Sequence, residues 1–482
     1  MLNIFLNNPP SLNWDEVSLG FNAFSLLKTG RDEWGTVLPL LFRAFGDFKL
    51  PAYVYFTVPV PFAVRLPSVI FGFLLILISY LLGRRFFSKS VGLITALLVA
   101  ISPWTWWLSR IALEANAGAF FIALGIYCLL SKKLNLGILF LGLSVWTYNS
   151  ARVFSPLFLL GFFFINRLKP TLVHYFLISI FFIPMLFQLL SPTGQARYQT
   201  LSLLDSGAIA KIEQLQTTKP GGRLLYNKVT YWTGSFVKNY LSYLSPNFLF
   251  LKGGNHYQFS VQNHGLLYLI TLPFLVIGLW KIRQNKLLLI WLFLAPVAGS
   301  LTRDAPHVLR AIPMLPLPML LTAIGLSRFG RNIKAIFLIG LLISSIYYLV
   351  SANTYRSNYS QSWQYGYAQT IQFIKDNYDQ YDRVIFTKKY GEPHEFVAYY
   401  WPWNPADFPS QKQWDYHANW YWVNALDKFT FVNDWEMAEY VKTLDRSKRY
   451  LVVQSPEHET TGTEVFRINF LDAKPAFIIK QL

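Results

Sequence analysis

Residues 67–85 read PSVIFGFLLILISYLLGRR. An uncharged apolar run of this kind, about 17–25 residues long, matches the thickness of a hydrocarbon core. The two arginines that close it belong on a cytoplasmic flank. The pattern recurs. Apolar segments lie at 67–82, 91–108, 115–130, 134–149, 153–165 and 172–190, and again near 266–280, 287–302, 308–327 and 335–352. Several are short for a straight crossing, so tilt or partial re-entry is expected. The sequence predicts an α-helical polytopic membrane protein with about ten transmembrane helices.

Composition agrees. Of 482 residues, 53% are hydrophobic, 18% aromatic and only 14% charged, against about 25% charged in soluble domains. The net charge of +18 does not point to nucleic acid, because the basic residues sit in short loops between apolar segments. Every second connection is basic and free of acid: Arg84, Arg85 and Lys89; Lys132 and Lys133; Arg167 and Lys169; Lys281, Arg283 and Lys286; Arg328, Arg331 and Lys334. These face the cytoplasm by the positive-inside rule. Asp15, Glu16, Asp47, Glu114, Asp205 and Asp304 all fall on the other side. The lone Cys128 excludes an intrachain disulfide and a cysteine-rich zinc site.

This topology divides the chain into three. Residues 1–66 form a first extracytoplasmic loop with interfacial helices and an acidic motif. Residues 67–352 are the multi-pass region, with a large outer loop at about 191–264. Residues 353–482 form a soluble extracytoplasmic α/β domain, with a helix over Gln361–Tyr378 and strands at Arg383–Thr387 and Arg449–Gln454. Its dense Trp and Tyr residues suit stacking on sugar faces, a core, or a bilayer rim. The charge pattern leaves the N-terminus outside with no export signal, so a spanning helix is expected before Met1. The expected location is the cell (plasma or inner) membrane.

The chemistry-bearing residues gather on the outer side. Asn13-Trp14-Asp15-Glu16 reads either as a helix cap with its dipole-stabilised acids or as a carboxylate able to take a proton from a hydroxyl. Asp47 and Lys49 lie in the turn before Pro51 and Tyr53. A lysine there either snorkels or binds phosphate as a point charge. Arg110 and Glu114 are four apart, so they would either share a helix face and pair or act directly in binding a phosphate or sugar. Arg65, Arg152, His256, His264, His307 and Arg310 add cations suited to an anionic headgroup. The histidines lack metal-ligand spacing, so no cofactor is called for. A divalent metal is compatible with this chemistry but not indicated. No glycine-rich nucleotide loop is present.

In this order the residues resemble those of C-type glycosyltransferases, above all the branch of protein O-mannosyltransferases and the lipid A aminoarabinose transferase. The resemblance rests on Pro9-Pro10 through Asp15-Glu16, Lys49-Leu50-Pro51 with Tyr53, Arg65-Leu66-Pro67-Ser68, Ser109–Glu114 and His307–Arg310. It covers roughly the first 350 residues. It implies eleven helices and inverting transfer of a sugar from a polyprenyl-phosphate donor, at the extracytoplasmic face, to a protein, glycan or lipid hydroxyl. It also implies Asp15 as general base with Glu16 beside it, and Lys49 with an arginine on the phosphate. The chain departs from the family at Phe48, where an acid is common, and at Glu114, where an aspartate is common. Two rivals use the same features. A flippase for lipid-linked sugars would need outer cations but would place charges at the midplane. Trp414-Asp415-Tyr416 superficially matches an oligosaccharyltransferase signature, without the residues that should follow.

Overall fold

The computed structural model describes residues 8–192, 194–195 and 201–482. The chain forms two compact units. One comprises residues 1–67, 110–112 and 350–482; the other comprises 68–109 and 113–349. The first loop and the C-terminal region, separate in the sequence division, thus belong to a single unit.

The N-terminal part of that unit starts with α1 (Trp14–Thr29). Its entry is a reciprocal capping box, with the Glu16 amide donating to Asn13 Oδ1 and the Asn13 amide donating to Glu16 Oε2. Its exit is Gly30 at φ 68°, a left-handed cap that suits glycine. Strands β1 (Phe42–Ala44) and β2 (Asp47–Lys49) follow as an antiparallel hairpin, then α2 (Pro51–Thr57), with proline in its first turn.

The C-terminal part contains α3 (Tyr367–Asn377), β3 (Arg383–Thr387), α4 (Pro393–Tyr400), β4 (Lys412–His417), β5 (Trp420–Leu426), β6 (Phe429–Val432), α5 (Met437–Lys442), β7 (Tyr450–Gln454), β8 (Thr463–Asn469) and β9 (Pro475–Gln481). The strands form one sheet in the order β4-β5-β6-β3-β7-β9-β8. Its centre, β6-β3-β7, is parallel, and both flanks are antiparallel. The expected strands at 383–387 and 449–454 are present to within a residue. The expected helix begins later, at Tyr367, after Gly366 at φ 111°. One sheet face packs Val384, Phe386 and Val453 against Ile371 and Ile374 of α3 and Phe396 and Val397 of α4, and Val17 and Phe21 of α1 join the same core. Burying each such side chain stabilises by about 1.5–3 kcal/mol, so α1 is a core element of this unit rather than an interfacial loop helix.

The other unit is helical. Leu66–Phe86, Leu172–Leu190 and Arg331–Asn358, the last ending in the first unit, are long and apolar enough to cross a membrane. Among the described residues, six further apolar helices have 10–17 residues. Proline explains three of the shorter segments. The 91–108 segment breaks between Ile101 and Pro103, 287–302 is interrupted at Pro296, and 308–327 changes from a 3-10 stretch to helix at Pro316. Each proline removes a backbone donor and clashes with the preceding turn. Helices Leu272–Lys281 and Leu317–Leu326 cross closely at Gly278 and Gly325, where a Cβ would run into the Leu321 and Phe274 carbonyls. Within the expected outer loop the described residues are partly helical, at Ser206–Thr218 and Lys228–Tyr243. Residues 193 and 196–200 of that loop, and 1–7 of the opening segment, lie outside the described residues.

Candidate active site

The first turn of α1 points two adjacent carboxylates in different directions, because successive helical residues are about 100° apart. Glu16 points inward and has no solvent exposure. Its Oε1 accepts from Arg65 Nε at 2.7 Å and the Ala112 amide at 2.8 Å. Its Oε2 accepts from another Arg65 nitrogen at 2.7 Å and the Asn13 amide at 3.1 Å. Arg65 also donates to the Pro9 and Ser11 carbonyls, at 3.0 and 2.5 Å. Every charge in this pair is matched by a hydrogen bond, which is what burial of an ion pair demands.

Asp15 points outward and is 29% exposed. Lys49, at the end of β2, reaches it from the hairpin. Its Nζ lies 3.0 Å from Asp15 Oδ1 and donates to the Asp15 carbonyl at 3.1 Å. The same ammonium sits 5.5 Å from the Phe45 ring. Asp47 accepts from the Phe48 amide at 2.7 Å, and so shapes the hairpin. Tyr53 is fully buried and donates to the Val64 carbonyl at 2.9 Å.

Other sequence-selected residues lie elsewhere. Arg110 and Glu114 do not share a helix: Pro103–Leu108 ends before Arg110 and the next helix opens at Glu114. Arg110 belongs to the mixed α/β unit and Glu114 to the helical one, so the two do not lie on one helix face as their spacing suggested. In the helical unit Arg152 is buried, donating to the Val145 carbonyl at 3.1 Å and to Gln188. His256 stacks on Phe259, which meets His307. Arg310 donates to Thr302 at 2.7 Å and lies 3.5 Å from Asp304. His264 rests against Tyr347 and Tyr348.

The sequence reading missed a buried ionic cluster in the same unit as Asp15. Glu33, Glu392, His394, Glu395 and Lys412 are all buried. Lys412 Nζ lies 3.9 Å from Glu33 and 3.5 Å over the Trp34 ring. Asn22 donates to Glu33 at 2.9 Å, and His394 lies 3.6 Å from both Glu392 and Glu395. Burial, reinforced by the neighbouring Glu395, raises the Glu33 pKa; burial also raises that of Glu395. Burial pushes the His394 imidazole down to about 4 and lowers Lys412. The Glu392-Pro393-His394-Glu395 string at the start of α4 was the available signal.

Among the described residues, Asp434, Glu457 and His458 have ligand atoms within 4.8 Å of one another. Asp434 already accepts from Thr387 and Ser455, at 2.6 and 2.7 Å, and Glu457 pairs with Lys389. These three could hold a divalent cation only by giving up bonds they now make.

Residues 35–144 match the family model described as PMT, dolichyl-phosphate-mannose-protein mannosyltransferase. The whole chain is similar to the crystal structure of ArnT from Cupriavidus metallidurans bound to undecaprenyl phosphate, at 12% identity and TM-score 0.56, covering 99% of this chain and 96% of that one. The apo form of that protein gives 11% identity and TM-score 0.52, covering 96% and 93%. The archaeal oligosaccharyltransferase AglB from Archaeoglobus fulgidus, in complex with an inhibitory peptide and a dolichol-phosphate, scores 0.48 at 13% identity, over 80% of this chain and 59% of that one; at that score it carries no argument. No curated protein matches the chain. The resemblance drawn from sequence holds. The family match includes Lys49, Tyr53, Arg65, Arg110 and Glu114, while Asp15 lies before it, and the fold of ArnT extends over nearly the full length. The family match points to a glycosyltransferase that uses a lipid-linked sugar donor.

Two predictions follow from this geometry. Glu16→Ala removes a buried carboxylate with four accepted bonds from a partly exposed arginine and should cost about 3 kcal/mol, whereas Asp15→Asn breaks a partly exposed pair and should cost about 1 kcal/mol or less. Thermal unfolding in detergent measures both, and equal losses would contradict the assignment. The second concerns pH. The folded state holds a proton on Glu33 above its ordinary pKa of 4.5, so its contribution to stability is full below that value and is lost as pH rises through the raised one. His394 titrates with the opposite sign, in wild type and variant alike. Glu33→Gln should therefore gain thermal stability relative to wild type between about pH 5 and pH 8.5. A difference that does not vary with pH would refute this.

Proposed function

We propose that the protein is a membrane glycosyltransferase that moves a sugar, a mannose-like hexose or a related one, from a polyprenyl-phosphate donor to an acceptor hydroxyl at the extracytoplasmic face. The observation that carries this reading is the partly exposed Asp15–Lys49 pair beside the structural Glu16–Arg65 pair. It is supported by the family match and by a fold shared with a protein solved with undecaprenyl phosphate.

The chemistry needs a base and a cation in one place. A sugar on a lipid phosphate already carries its activation, so transfer requires only alignment, proton removal and stabilisation of the leaving group. Asp15 takes the acceptor proton. The acceptor oxygen bonds to C1 as the C1–O bond to phosphate breaks on the opposite side, which inverts the anomeric centre. Lys49 turns from Asp15 to the phosphate, neutralising it as a point charge and freeing the carboxylate on the same event. Glu16 and Arg65 hold the first turn of α1 still, so neither is assigned to the reacting atoms. Arg110 is the proposed arginine for the phosphate. His256, His307 and Arg310 keep a proposed role in donor binding within the helical unit.

The test follows labelled sugar from undecaprenyl-phosphate and dolichyl-phosphate donors in membranes carrying wild type or Asp15→Asn. The variant should lose at least about a hundredfold in transfer, the lower range for a general base, and remain folded. Full transfer by folded Asp15→Asn would overturn the reading.

A further inference from the structure

The hairpin β4–β5 turns at Ala418 and Asn419, both at positive φ (53° and 60°), as a two-residue hairpin turn requires. Its register pairs His417 with Trp420 and Asp415 with Trp422. Strand alternation therefore puts Asp415, His417, Trp420, Trp422 and Asn424 on one face. The rings form a row. His417 stacks on Trp422 with centroids 5.5 Å apart, Trp422 meets Trp420 at 6.0 Å, and Trp420 stacks on Phe45 at 5.6 Å with planes 16° apart. Phe45 is the ring over which Lys49 sits, so the row ends at the Asp15–Lys49 pair.

A polar chain runs beside the rings. Lys388 Nζ donates to Asn424 Oδ1 at 2.6 Å, Asn424 Nδ2 donates to Asp415 Oδ2 at 3.2 Å, and Asp415 Oδ1 lies 3.2 Å from His417 Nδ1. On the opposite face Trp414 and Tyr416 are exposed, but the polar group among those rings is a cation already engaged by them. There Arg43 lies 4.5 Å from the Trp34 ring and 4.7 Å from that of Tyr421, and Trp34 packs edge-on to Trp414.

We propose that this row is a carbohydrate subsite that holds a sugar ring of a glycan acceptor and leads its hydroxyl toward Asp15. The inference rests on the transferase reading and adds the acceptor class to it. A sugar ring has an apolar C–H face and an equator of hydroxyls. Flat indoles match the first, and a fixed array of carboxylate, amide and ammonium matches the second. An acyl chain would strip water from Asp415 and Lys388 without replacing its hydrogen bonds, which is costly. An extended peptide would pair with the backbone of β4, the outermost strand, rather than lie across the side-chain face.

The experiment uses the full chain in lipid nanodiscs, titrated with mannotriose, chitotriose and maltotriose. Saturation-transfer NMR and tryptophan fluorescence report binding. At least one trisaccharide should bind, and Trp422→Ala and Asp415→Asn should each weaken it about five- to tenfold. Asp415→Asn alters only a surface carboxylate, which keeps the test valid if Trp422→Ala does not fold. Asp15→Asn should bind as wild type does. No binding of any of the three at about 10 mM, or binding unchanged in Asp415→Asn, overturns the proposal. So does a serine- and threonine-rich decapeptide that binds through Trp422 where no saccharide does. Asp15-dependent transfer without saccharide binding would remove the subsite alone. Saccharide binding with no donor consumed by any protein would instead remove the transferase reading.

Discussion

The buried pair of Glu16 and Arg65 is the constraint on which the candidate site depends. It joins three stretches far apart in sequence: the start of α1, the residues just before the Leu66–Phe86 helix, and the Arg110–Ala112 tripeptide whose amide donates to Glu16. Removing two charges from water costs several kcal/mol per ion unless hydrogen bonds replace the lost hydration, and here Glu16 accepts four and Arg65 donates four. The consequence reaches the next residue. With Glu16 fixed inward, Asp15 can only project outward, where Lys49 meets it. One acid supplies rigidity and its neighbour is left for chemistry.

Much of this was legible in the sequence. The apolar runs identified a largely helical unit with three helices long and apolar enough to cross a membrane, and Arg383–Thr387 and 449–454 read correctly as strands because their β-branched and apolar residues form short buried runs. Asp15 and Lys49 were picked out together although 34 residues separate them. Other features were not legible, for physical reasons. Periodicity along one segment says nothing about which distant segment shares its core, so α1 read as an interfacial helix although Val17 and Phe21 belong to the core built on β3 and β7. Arg65 carried the same signal as a free interfacial cation, and only the fold reveals its four hydrogen bonds to Glu16, Pro9 and Ser11. Arg110 and Glu114 had helical spacing, yet the chain between them is irregular.

The buried cluster of Glu33, Glu392, His394, Glu395 and Lys412 shows the same limit from the other side. Glu392-Pro393-His394-Glu395 reads as a polar helix start, and polar helix starts are commonly solvated. Burial arises because α4 packs beside α1 and strand β4 brings Lys412 to the Asp32–Glu33 turn. Such a group costs stability unless its charges are paired or neutralised, and burial drives both Glu33 and His394 toward their neutral forms, raising the acid and lowering the imidazole. The cluster ties the N-terminal helix to the C-terminal sheet within one unit, so the scaffold behind Asp15 is itself sensitive to protonation.

The central claim is that Lys49 exchanges Asp15 for the donor phosphate. A cryo-electron microscopy structure of the protein with undecaprenyl phosphate measures this directly. The account predicts a phosphate oxygen within hydrogen-bond distance of Lys49 Nζ and an Asp15 carboxylate that has left its present 3.0 Å contact. A phosphate bound elsewhere, with the Asp15–Lys49 pair intact, would contradict it.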